Sequence, residues 1–215
     1  MKEITEQRLD QLREQVMGQM SPKRFRHTAA VEIMAAKLAT LYCPEMSLKL
    51  RAAALLHDLT KEWSIEEHAA YCRNCGIEPD ASFFLSPKTF HALTASLRIA
   101  REMPDFDDPD IVSAVRWHTT GHAGMTLSEK LIYLADYIDE SRTFDGCVLL
   151  RRYFFGADPE AMDKAGREAL LRDTLIFSYD LTMRDLLADG TAIAEDTNRA
   201  RNELIAQRAA SLAEG

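Results

Sequence analysis

The stretch Leu55-Leu56-His57-Asp58-Leu59-Thr60-Lys61 decides how the chain is read. A histidine directly followed by an aspartate stands behind the apolar run Ala52 to Leu56, so two side chains able to bind a metal fall where a buried helix ends. On its own a His-Asp pair is common, and a helix-terminal histidine beside a solvated aspartate is the plainer reading. Its company changes that. His27 lies upstream and His91, His118 and Asp136 downstream, each in an apolar or small-residue helical pattern where an imidazole or carboxylate is costly to bury without a partner. Several such anomalies point to one shared partner, and a metal ion is the simplest.

On the N-terminal side, Ile4, Leu9, Leu12 and Val16 recur at helical spacing over residues 3–18. Ser21-Pro22 reads as an N-cap followed by proline in the first helical position, opening a second helix to about Thr40. His27 shares a stripe with Val31, Met34 and Leu38 and so points inward near the start of that helix. A core histidine bonded to a backbone carbonyl is the competing reading there. Lys23, Arg24 and Arg26 give the same helix end local positive charge. Pro44 closes it, and residues 47–57 form the helix that ends at His57-Asp58.

Downstream, Ser64 with Glu67 matches a capping box and opens a helix to about Cys75, stopped by Gly76 and Pro79. Residues 81–87 read as loop. His91 falls in a helix over about 88–102, where a partly exposed surface histidine is the alternative. Asp108-Pro109 starts another helix, with Ile111, Val115 and His118 on its inner stripe and Thr119-Thr120-Gly121 at its end. Gly121 and Gly124 make the loop to Thr126 flexible enough to approach a ligand, and His122 reads as loop surface. In the helix over 127–141, Asp136 stands alone among Leu131, Ile132, Leu134, Ala135 and Ile138. A buried carboxylate must be paired, bound to metal or protonated, and an ion pair with Arg142 is the alternative to a metal.

Residues 143–156 fit no pattern clearly, and 159–187 and 196–213 are charged and helical, broken by Asp189-Gly190. No alternating strand, repeat or low-complexity tract stands out. The expectation is an all-α chain forming one domain over 1–215, with a metal-site core at about 20–142 and a helical extension at about 143–215 packed against it.

At 215 residues, 47% hydrophobic and 28% charged, the chain is long enough for a full core and ordinary for a globular protein. A net charge of −8 and a pI near 5.3 argue against nucleic acid as a partner, since counterion release needs a basic surface. No run approaches the ~18 apolar residues of a membrane span. The charged start lacks the apolar core of an export signal, so cytoplasm is the expected compartment. Cys43, Cys72, Cys75 and Cys147 are then not expected to form a disulfide scaffold. Cys72-x-x-Cys75 lacks the second Cys pair of a zinc site and the parallel β-unit of a redox site.

Four imidazoles and two carboxylates on separate helices suit iron, manganese, nickel or zinc better than calcium, with one or two ions accommodated. Such a site acidifies bound water to give a hydroxide nucleophile, and Lys61 could neutralise charge building on a phosphate, although a solvated lysine is the plainer reading of Lys61 alone.

The order His27, His57-Asp58, Asp136 resembles the signature of the HD-domain metal-dependent phosphohydrolases. Ser21-Pro22-Lys23-Arg24-Phe25-Arg26-His27, LLHDLTKEWS (55–64), HTTG (118–121) with Met125, and YLADYID with Glu140 and Arg142 are similar to the YqeK-like branch, the symmetrical bis(5′-nucleosyl)-tetraphosphatases. The resemblance covers about residues 20–142. It implies an HD-domain helical bundle that hydrolyses diadenosine tetraphosphate to two ADP with iron in the site. His27, His57, Asp58 and Asp136 would be first-metal ligands, and His91 and His118 would face a second metal or the substrate phosphates. Asp58 and Lys61 would be catalytic, and Arg24, Thr119 and Arg142 would hold the nucleotide. Asp196-Thr197 with Ala200-Arg201-Asn202 is similar to the family's closing motif, in which Thr197, Arg201 and Asn202 approach the nucleotide. The segment between Arg142 and Thr197, with Arg151-Arg152-Tyr153-Phe154-Phe155, departs from that pattern.

Two other functions share these residues: a phosphatase on nucleoside monophosphates or another small phosphoester, and a non-catalytic nucleotide sensor. Base preference and assembly, a homodimer included, have no signature in the sequence.

Overall fold

The computed structural model describes residues 3–213. Among them every regular element is helical: α1 (Glu6–Met17), α2 (Pro22–Tyr42), α3 (Ser47–Leu56), α4 (Ile65–Asn74), α5 (Ala81–Leu85), α6 (Phe90–Glu102), α7 (Pro109–Trp117), α8 (Leu127–Ile138), α9 (Asp145–Gly156), α10 (Lys164–Ala188) and α11 (Glu195–Ala213). The all-α expectation holds. No described helix is long and apolar enough to cross a membrane.

The starts are set by side chains that satisfy otherwise orphaned backbone N–H groups. Ser21 Oγ accepts from the Arg24 N–H at 3.2 Å, with Pro22 behind it. Ser64 and Glu67 close a reciprocal capping box on α4, and Thr126 and Glu129 close another on α8. α3 is the hub. Its Ala52, Ala53, Ala54, Leu55 and Leu56 are all buried, and α1, α2, α7 and α8 pack around it, with the three alanines allowing close approach. One continuous apolar core follows, from Leu9 and Leu12 through Val31, Leu38, Ile111 and Leu131 to Leu175, Tyr179 and Leu204.

The structure differs from the sequence reading in three places. Residues 81–87 are not simply loop: α5 forms there, capped by Asp80 accepting from Ser82 N–H, and Phe83 stacks 5.0 Å from Phe90. α8 stops at Ile138 rather than running to 141, because the chain turns extended at Asp139 (ψ 154°). Residues 143–156, which had no clear pattern, contain α9. Its Arg151 reaches back to bond the carbonyls of Ile138 (2.7 Å), Arg142 (2.9 Å) and Asp139. Three carbonyls, two of them on the buried residues Ile138 and Asp139, are thereby satisfied by one guanidinium.

Candidate metal centre

Helix ends build the site. His57 follows the last residue of α3, His118 that of α7 and Asp139 that of α8, while Asp136 lies in the final turn of α8. Three helix C-termini therefore aim their partial negative charge at one place, which favours a cation. His27 comes in from the second turn of α2 and His91 from the start of α6.

Two of the imidazoles are held identically. Nδ1–H of His57 donates to the Ala54 carbonyl at 2.6 Å, and Nδ1–H of His118 donates to the Val115 carbonyl at 2.7 Å. Each ring fills a helix-end acceptor three residues back and is locked in the tautomer whose Nε2 carries a free lone pair. The carbonyl bond considered for His27 is thus made by its neighbours. His27 Nδ1 lies instead 3.2 Å from Ser141 Oγ and 3.4 Å from Asp139 Oδ2.

The Nε2 atoms converge. His57 Nε2 is 3.3 Å from Asp58 Oδ2 and 3.6 Å from Asp136 Oδ1, and His27 Nε2 is 2.9 Å from Asp136 Oδ1 and 3.7 Å from Asp58 Oδ2. Two sets share His57: His27, His57 and Asp136, and His57, Asp58 and His118, with the ligand atoms of each within 4.8 Å of one another. Nε2 of His27 and of His57 is buried with no hydrogen-bond partner. Orphaned nitrogens aimed into a pair of carboxylates are what a cation would satisfy, so the residues fit a metal. His91 flanks the second set, its Nε2 2.9 Å from His118 Nε2 and 3.3 Å from Asp58 Oδ1.

Charge around the cluster is opposed on both sides. Burial pushes the Asp58 carboxyl up, but His57 and His91 outweigh it and hold it well below the usual carboxylate range. Burial has the same effect on Asp136, outweighed by Arg142, His27 and His57. The His27 imidazole would be lowered by burial, yet Asp136 and Asp139 raise it to about 9. Burial lowers His91 and His118. Lys61 is lowered by burial against the pull of Asp58 and Asp136, and its Nζ lies 3.2 Å from His91 Nε2. Arg24 Nη1 is 2.7 Å from Asp58 Oδ2, and Arg142 pairs with Asp136 and stands 3.4 Å from Asp139 Oδ2. The ion pair weighed as an alternative for Asp136 is therefore present, on an oxygen that also faces two imidazoles.

Asp139 is the site residue the sequence reading passed over. It is fully buried, accepts from Ser141 N–H at 2.8 Å and backs His27. A carboxylate behind a metal-facing imidazole fixes its orientation and raises its basicity. The signal was there: Asp139 follows Asp136 by three residues, one helical turn, on the same face.

The rings form a row, with centroids 5.4 Å apart from His27 to His57, 5.0 Å from His57 to His118 and 4.9 Å from His118 to His91. A cavity opens at each end. Beside His27 lies one of about 510 Å³ lined by Lys23, Arg24, Arg26 and Arg142. At the other end Thr119, whose Oγ1 is 3.1 Å from His118 Nε2, lines one of about 610 Å³ with Thr120, Thr182, Leu186 and Thr197. Thr197 is thus in a cavity next to the row. Arg201 pairs with Asp180, and Asn202 faces Asn198 at 3.5 Å, neither lining that cavity. His122 is not free surface: it sits 3.1 Å from Glu129 and 4.5 Å from the Trp117 ring.

The HD domain family model matches residues 24–141, the span that carries His27, the His57-Asp58 pair, Asp136 and Asp139. The chain belongs to the HD domain family. The chain is 32% identical over 190 residues to the symmetrical bis(5′-nucleosyl)-tetraphosphatase of Bacillus subtilis, covering 88% of this chain and 94% of that one. It is 30% identical to the protein of the same name from Halalkalibacterium halodurans, over 90% and 95% of the two chains. A crystal structure from Clostridium acetobutylicum, described as a predicted HD superfamily hydrolase involved in NAD metabolism, superposes with a TM-score of 0.79 at 32% identity, covering 92% of this chain and 97% of that one. The HD-domain protein is accordingly an enzyme, a hydrolase whose His and Asp side chains can hold metal.

Proposed function

We propose that this hydrolase cleaves a dinucleoside tetraphosphate, diadenosine tetraphosphate in the first instance, symmetrically to two molecules of ADP. The observation that carries the reading is the row of imidazoles with a nucleotide-sized cavity at either end, a layout suited to a substrate with a nucleoside on each side of the reacting phosphates. The curated relatives bear the name of that activity.

His27, His57, Asp58 and Asp136 would hold one ion, iron by the family resemblance, and His118 with His91 would face a second ion or the phosphates. Such a cation supplies Lewis acidity and an acidified water. The chain's own groups do the rest. Water oxygen adds to one of the two central phosphorus atoms, and the bridging oxygen leaves with the other, so each half departs as a diphosphate. Asp58, held ionised by His57 and His91, orients the entering water. Lys61, Arg24 and Arg142 stand where they neutralise charge growing on the phosphates. Thr119 and Thr197 lie where one nucleoside would rest.

Product identity tests the reading. Metal-loaded protein, reduced and kept anaerobic with iron, is expected to release ADP alone from diadenosine tetraphosphate. AMP with ATP, or a nucleoside monophosphate preferred in kcat/KM by orders of magnitude, overturns it. Lys61→Ala is expected to lower kcat by about 10²- to 10³-fold, the scale of removing one preorganised donor, with metal content unchanged by elemental analysis. A loss of metal instead would make Lys61 part of the cage.

A further inference from the structure

Resting on the two-armed reading above, we propose that the cavity at the His27 end is the subsite for the second nucleotide, with Phe144 as the face on which its base stacks and Lys23 and Arg26 as the cations along its phosphates. No site role attaches to these three residues in the motifs that carry the family resemblance.

Phe144 is the N-cap of α9, is 72% exposed and lines the same cavity as Arg24, His27 and Arg142. A phenylalanine so exposed is unusual for a cap position, where a polar side chain would bond the first helical N–H groups, and Phe144 makes no such bond. Among the described residues its ring stacks on no other aromatic group. A bare ring at the mouth of a cationic cavity is how sequence-tolerant nucleotide sites capture a base, since every base offers a π-face.

The charge argument is independent. In a chain of net charge −8, four cations line this one cavity. Arg24 and Arg142 are already paired with Asp58 and Asp136. Lys23 and Arg26 are exposed on the first turns of α2, and no carboxylate pairs with either among the described residues. Their charge faces open space beside the place where polyphosphate must pass if its scissile bond lies at the imidazole row. The opposite cavity is different in kind, lined by threonines and aliphatic side chains with Lys88 as its cation. One end of the row thus suits a buried nucleoside and the other an anion with an exposed, stacked base.

The test uses the metal-loaded full chain. Phe144→Leu is expected to raise KM for diadenosine tetraphosphate about tenfold, the loss of one base-on-ring stack, with the loss falling on KM rather than on kcat. Phe144→Trp, which keeps a ring, is expected to restore KM. The same Phe144→Trp chain gives a readout free of turnover: its added indole emission, taken as the difference from wild type, is expected to be quenched by ADP and not by inorganic pyrophosphate. Equal quenching by pyrophosphate, no quenching by ADP, or a KM for active Phe144→Leu within twofold of wild type overturns the subsite. If wild type releases no ADP from the tetraphosphate, the proposed reaction falls, and quenching by ADP still decides whether Phe144 stacks a base.

Discussion

Asp58→Ala is expected to abolish turnover, by about 10⁴-fold or more, and to lower the metal bound per chain. Asp58 is the node of the cluster: within 3.7 Å of its oxygens lie Nε2 of His27, His57 and His91 together with Nη1 of Arg24. Groups that act as a unit lose nearly everything when one is removed, which sets that magnitude. Removing this carboxylate also leaves Arg24 and His91 without the carboxylate they face, while His27 and His57 keep Asp136, so far-UV circular dichroism must show the helices intact for the loss to be read as chemical. Asp58→Asn, nearly the same shape without the charge, separates the two effects. Both variants should be inactive, while Asn should keep more of the stability. Activity surviving in Asp58→Ala would mean that the measured turnover belongs to a contaminant or that the cluster is not the catalytic centre.

Gly121→Ala is expected to destabilise the protein by about 3 kcal/mol, read as a lower denaturant midpoint at unchanged slope. Two costs add. Gly121 has φ +61°, the left-handed region, and a Cβ built there would lie 1.9 Å from the hydroxyl oxygen of Tyr179, 3.1 Å from its Cζ and 3.2 Å from Met125 Sδ. Tyr179 is fully buried, so its ring has nowhere to go. Because Gly121 directly follows His118-Thr119-Thr120, the shift forced on the loop should also reduce kcat/KM. Tyr179→Phe in the same chain removes the nearest atom and should recover part of the stability. A double variant as unstable as Gly121→Ala alone would show that the clash with the Tyr179 hydroxyl is not the source of the cost.

Those predictions rest on features of unequal legibility. Side chains that break an apolar pattern could be picked out along the chain: His27, His57, Asp58, His91, His118 and Asp136 each interrupt a buried stripe, and the structure brings all six into one cluster. Helix starts were legible for the same local reason, because Ser21-Pro22, Ser64 with Glu67 and Asp108-Pro109 act on N–H groups within one turn. What failed to show was whatever depends on distant partners. α5 is short and owes its place to Phe83 against Phe90. Asp139 showed its spacing from Asp136 but not its task, because backing His27 depends on the turn after Ile138 that carries it there. Arg201 and Asn202 lie on a solvated helix face, where a ligand contact and a surface ion pair have the same sequence pattern, and the structure gives Arg201 to Asp180. The α9 segment held no clear period because it serves two tasks, packing Leu150 and Phe154 inward while sending Arg151 toward the site.

That last residue has a bearing on how the protein can be handled. Arg151 fastens the turn that carries Asp139 and Arg142, yet it lies ten positions beyond the span matched to the family, which stops at residue 141. An excised fragment ending there would lose the buckle while keeping every presumed ligand, and the carbonyls of Ile138 and Asp139 would be left without their donor. The minimal unit able to keep its grip on an ion is therefore longer than the stretch that defines its ancestry.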